Sequence, residues 1–147
     1  MKGEAPLNNR TNLAFFNSYL ELDKACADRF GIKQNGVSTY INRLVDLRFA
    51  PGRNEVLAKL IKYRNCRNTI AHEVNAINSM SELTKADIKW IIGFTKSINY
   101  KTDPISRYER KAVRYSVWRK VRTVLIGILV VAIGVAVYAI LKHLQIL

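Results

Sequence analysis

The chain has 147 residues, with 24 Lys and Arg against 11 Asp and Glu, a net charge of +13. That length supports one small folded domain and argues against several. Two cysteines without a CxxC spacing and only two histidines exclude a disulfide framework and a His/Cys zinc site within one chain, so neither a metal nor another cofactor is expected.

The pattern is helical throughout. A first helix is predicted from about Asn8 to Phe30, with Leu13, Phe16, Leu20 and Ala27 along one face and Gly31 as its stop. Ile32 to Val37 reads as a loop around the turn dipeptide Asn35-Gly36. Ser38 or Thr39 caps a second helix carrying Ile41, Leu44, Val45 and Leu47, which Pro51-Gly52 ends. Asn54 caps a third helix that runs to about Val74. Ser81 or Thr84 opens a fourth, with Asp87 the capping-box partner of Thr84 and Ile88, Ile91, Ile92, Thr95 and Ile98 on its apolar side. Asp103-Pro104 starts a fifth helix that meets no breaker before the apolar run downstream. The predicted architecture is all-α: an antiparallel four-helix bundle over 1–104, a basic juxtamembrane helix over 105–122, a transmembrane helix over 123–141 and a short tail over 142–147.

Thr123 to Leu141 is 19 residues without a charge. As a helix it spans roughly 28 Å, close to the roughly 30 Å apolar core of a bilayer. Ser106 to Arg122 holds Arg107, Arg110, Lys111, Arg114, Arg119, Lys120 and Arg122 against a single Glu109, whereas beyond the run only Lys142 and His143 could carry charge. Lys and Arg flanking a span are retained in the cytoplasm, so the N-terminal domain is expected there and the C-terminus outside. Trp118 and Tyr138 sit near the two ends of the run, at interfacial positions. The basic strip favours anionic lipid headgroups over a nucleic-acid patch, and the two readings are compatible.

The third helix carries the chemistry. At 100° per residue, Leu57, Leu60, Ile61, Arg64, Asn68, Ala71 and His72 share an arc of about 120°, with Arg67 at its edge, while Val56, Tyr63 and Ile70 form a second stripe. A helix apolar on two sides is packed on two sides, so Arg64, Arg67, Asn68 and His72 are expected in a partly enclosed crevice. With Glu73 the one acid nearby in sequence, such a cluster points to an anionic ligand.

Arg67-Asn68-Thr69-Ile70-Ala71-His72 resembles the signature of HEPN domains, small all-α bundles with an Arg, a polar residue and a His on a late helix. The resemblance is local in residue type and covers roughly residues 8–104 in architecture. It implies a metal-independent endoribonuclease in which His72 exchanges protons with the ribose 2′-hydroxyl, Arg67 holds the scissile phosphate and Asn68 orients either. Arg64 would be an additional RNA contact beyond the family pattern. The chemistry is coherent: imidazole suits proton transfer near neutral pH, and a guanidinium forks onto phosphate oxygens. The products would be a 2′,3′-cyclic phosphate and a 5′-hydroxyl. The resemblance further implies a prokaryotic, membrane-anchored member acting in defence or growth arrest, a homodimer or higher homo-oligomer that completes the site from two copies, and an antitoxin or defence-system partner.

A rival reading keeps the HEPN scaffold without catalysis. In it the chain oligomerises through its anchor and perturbs the membrane, using Ala132 and Ala136, or Gly127 and Gly134, as close-packing positions. The span has no internal polar residue beyond Tyr138, which favours an anchor over a water-lined pore. A third reading is an RNA- or nucleotide-sensing module without activity.

Overall fold

The computed structural model describes residues 7–72 and 83–143, all helix, turn and loop with no strand among them. The helices are α1 (Leu7–Phe30), α2 (Gly36–Asp46), α3 (Arg53–His72), α4 (Lys85–Asn99) and α5 (Pro104–His143). The expected end of the third helix at Val74, the cap candidate Ser81 and the end of the C-terminal tail lie outside the described residues. One compact unit runs to Tyr108 and a second from Glu109 onward.

In the first unit α1 is the central element, packing on α2, α3 and α4. Its buried face matches the predicted one only at Ala27. Leu13 and Leu20 are 48% and 43% exposed, whereas Asn12, Phe15, Tyr19, Leu22 and Cys26 are buried. Those five alternate at spacings of three and four, the repeat that keeps one seam of a helix facing its neighbours. Aromatic rings fill the interior: Phe15 meets Tyr63 edge-on at 5.8 Å, Tyr40 meets Phe94 at 5.5 Å, and Trp90 stacks on Phe94 at 4.9 Å. Cys26 and Cys66 are buried free thiols.

The junctions are set by specific polar groups. Asn35 adopts a left-handed conformation (φ 60°), and α2 begins one residue later, at Gly36. Neither Ser38 nor Thr39 is its cap. The Asp23 carboxylate of α1 reaches across and accepts the Val37 amide at 2.8 Å. A Cβ at Gly36 would overlap the Asp23 carbonyl oxygen and the Ala27 amide nitrogen, so glycine is what lets α2 approach the α1 backbone. At the other end of α2, Arg53 donates to the carbonyls of Leu44 and Val45, each at 3.0 Å, satisfying acceptors a helix end leaves open.

Thr84 caps α4 as expected, in a capping box with Asp87. Asp87 also accepts from the Tyr63 hydroxyl at 2.9 Å and faces the Lys62 ammonium at 3.5 Å. Partial burial opposes its charge, but the Thr84 side chain and amide, Tyr63 and Lys62 together hold its pKa at about 2, below the ordinary 3.8. A carboxylate depressed on folding adds stability above its unfolded pKa and loses it as pH falls through the folded one. Between about pH 4 and pH 2 the bundle is therefore expected to lose up to about 2 kcal/mol through this group. Urea midpoints measured across that window should fall in the wild type, and Asp87→Asn should flatten the slope.

Asp103, 1% exposed, caps α5 from inside the core. It accepts the amides of Ile105 (3.2 Å) and Ser106 (3.3 Å), an Arg29 guanidinium hydrogen bond (2.9 Å) and the Tyr40 hydroxyl (2.7 Å). Pro104, Ile105 and Ser106 are buried, so the first turn of α5 belongs to the bundle. In the second unit, α5 includes one segment long and apolar enough to cross a membrane, with a mean hydropathy of 3.0 over 18 residues and none of that window buried.

Candidate functional site

Three elements meet at a polar cleft of about 160 Å³. From α1 come Tyr19, Leu20 and Asp23; from the turn and first residues of α2, Asn35 and Ser38; from α3, Arg64, Arg67 and Asn68. The glycine contact at Gly36 and the Asp23 cap bring the start of α2 against α1 and so form it. On α3, spacings of three and four place Arg64, Arg67 and Asn68 on one side.

Two arginines and one aspartate line the cleft. Two guanidiniums three residues apart repel each other unless something negative lies between or beside them. Asp23 supplies one carboxylate. Glu73, the one acid expected nearby from the sequence, lies outside the described residues, and Asp23 reaches the cleft from another helix. Arg67 donates to the Asn68 amide oxygen at 3.3 Å and stands 6.0 Å from the centre of the Phe16 ring. Burial, then the Asp23 charge, raise the Tyr19 pKa, with Arg67 and Arg64 opposing. Tyr19 is thus a neutral phenol that can donate or accept one hydrogen bond in the cleft.

His72 is placed differently. It ends α3, is exposed, and is not among the residues lining the cleft. Arg64, Arg67 and Asn68 are brought together as expected; His72 stands one helical turn beyond Asn68 on α3. Sequence reading missed Tyr19, Asp23, Asn35 and Ser38. The only signal was Asn35-Gly36, whose turn chemistry was legible but whose role in closing α2 onto α1 was not. Among the described residues no group of three or more His, Cys, Asp or Glu could hold a metal ion.

A family model described as a family of unknown function, DUF6548, matches residues 13–125. The chain belongs to DUF6548. The matched region contains every residue lining the cleft, the Asp103 junction and the whole basic segment, and it stops shortly after the apolar run begins. No curated protein and no solved structure matches this DUF6548 chain.

Proposed function

We propose that this DUF6548 protein is a membrane-anchored, metal-independent endoribonuclease of HEPN-like type, with its bundle in the cytoplasm and its C-terminus outside. The observation that carries the reading is the convergence of Arg64, Arg67 and Asn68 on one cleft, with His72 one turn away on the same helix. RNA supplies its own nucleophile, the 2′-hydroxyl, so the protein needs only to hold the phosphate and move protons. Arg67 binds the scissile phosphate and stabilises its developing charge, Asn68 fixes the Arg67 guanidinium, and His72 exchanges the proton. Arg64 adds a further contact to the RNA backbone. The exposed position of His72 leaves room for a second copy to complete the site. In this reading the protein works as a homodimer or larger homo-oligomer in defence or growth arrest, held in check or triggered by a partner.

The test is direct. Full-length protein in detergent, given single-stranded RNA in EDTA, should release fragments ending in a 2′,3′-cyclic phosphate, and a reporter fused after Leu147 should report the outside. Intact RNA, or cutting that requires a divalent metal, sinks the chemistry. A cytoplasmic C-terminus sinks the orientation.

One observation favours a second reading: His72 is absent from the cleft lining. In that reading the cleft binds an anionic ligand without cutting it, and the anchored bundle acts as a non-catalytic effector that assembles in the membrane.

A further inference from the structure

The basic segment of α5 is not uniform along its length. At about 1.5 Å per residue, Arg119 and Lys120 stand roughly 5–6 Å before Thr123, where the apolar run begins. That matches the headgroup layer, roughly 5–8 Å deep on each side of the hydrocarbon. Arg110, Lys111 and Arg114 stand roughly 13–20 Å away, about one to two Debye lengths beyond that layer's edge.

A shallow crevice opens at this level, lined by Arg119, Lys120, Thr123 and Val124. The spacings explain it. Arg119 and Lys120 flank Thr123 at four and three residues, and Gly127 follows Thr123 by one turn on the same side. The space where a Gly127 Cβ would stand is open. Arg119 and Lys120 are exposed, and Val124 is 61% exposed. The Thr123 hydroxyl donates to the Arg119 carbonyl at 3.0 Å, which turns its oxygen lone pairs away from the backbone. The crevice therefore has two cations at one end and Thr123 and Val124 at the other, and Gly127, one turn on from Thr123, adds no side chain beyond them. A polyanion such as RNA would use the first half and gain nothing from the second. An amphiphile uses both.

We propose that Arg119, Lys120, Thr123 and Gly127 form a binding site for one anionic phospholipid in the leaflet on the N-terminal side of the span. The headgroup phosphate sits between the two cations, and the glycerol and upper acyl chain lie over Val124 and Gly127. This goes beyond the nuclease reading and holds whether or not the cleft cuts RNA; it rests on the span alone. With each cation contributing about 1 kcal/mol, the preference over a zwitterionic lipid is roughly tenfold to thirtyfold.

The full chain, reconstituted into nanodiscs of equal phosphatidylglycerol and phosphatidylcholine and released for native mass spectrometry, should retain phosphatidylglycerol at about tenfold or greater preference. Arg119→Gln with Lys120→Gln should remove most of the preference, leaving about fivefold at most from the neighbouring Arg122, whereas Arg110→Gln, Lys111→Gln and Arg114→Gln together should leave it intact. Gly127→Leu, which fills the gap without touching a charge, should weaken retention of phosphatidylglycerol. It decides the matter if the double variant fails to insert by protease protection. Equal retention of both lipids by the wild type, loss of preference in the distal triple variant, or unchanged retention in Gly127→Leu overturns the site. Displacement of the lipid by millimolar glycerol phosphate would make it a free-phosphate site and overturn it as well.

Discussion

Asp103→Ala is expected to destabilise the bundle by about 3–5 kcal/mol, the cost of leaving a buried charge without its partner. The variant removes the acceptor of the Tyr40 hydroxyl and of the Ile105 and Ser106 amides and the counter-charge of Arg29, which keeps its hydrogen bond to the Ser106 hydroxyl. A small domain is stable by only about 5–15 kcal/mol, so the loss is a large fraction of the total. Denaturant unfolding of the full chain in detergent should show it, with the apolar helix as an internal reference that does not shift. Asp103→Asn keeps an acceptor but not the charge and should fall between. A variant within about 1 kcal/mol of wild type would mean that the junction does not hold the bundle together.

The second large effect is kinetic. If the cleft and His72 cut RNA, His72→Ala should slow cleavage by about 10²–10⁴-fold, the usual worth of a positioned proton-transfer group. Arg67→Ala should cost about 10²–10³-fold through lost stabilisation of phosphate charge. Arg67→Lys should recover only part of this, because an ammonium keeps the charge and loses the fork. Arg64→Ala should weaken substrate binding more than turnover. Circular dichroism must stay unchanged in each. Full activity in His72→Ala with loss in Arg67→Ala would favour the binding reading of the cleft over the proton-transfer reading.

Much of this was legible in the chain because it is local. The Thr84–Asp87 box and the Asp103-Pro104 start follow from contacts within one turn, and Arg64, Arg67 and Asn68 share a face by helical spacing alone. What was hidden depends on distant residues. Asp23 looks like an exposed acid on α1 until α2 folds back and gives it an amide to cap. Gly36 reads as a turn residue, yet its necessity comes from a neighbouring backbone. The face of α1 was misassigned because leucines outweighed Tyr19, Asn12 and Cys26 in the pattern, and only contact with three other helices decides between them. His72 shares an arc with the arginines in projection, but projection ignores height along the axis.

The buried start of α5 also imposes an order on synthesis. The interior formed by α1, α2 and α4 remains open until Asp103 to Ser106 have been made, and Thr123 follows Ser106 by only 17 residues. At about 5–20 residues per second, roughly one to three seconds separate the last piece of the core from the first residue of the apolar run. Were the apolar run to enter a membrane, folding of the bundle and delivery of the nascent chain would compete within the same interval, and a delay in either would leave the other with sticky, unfinished surface.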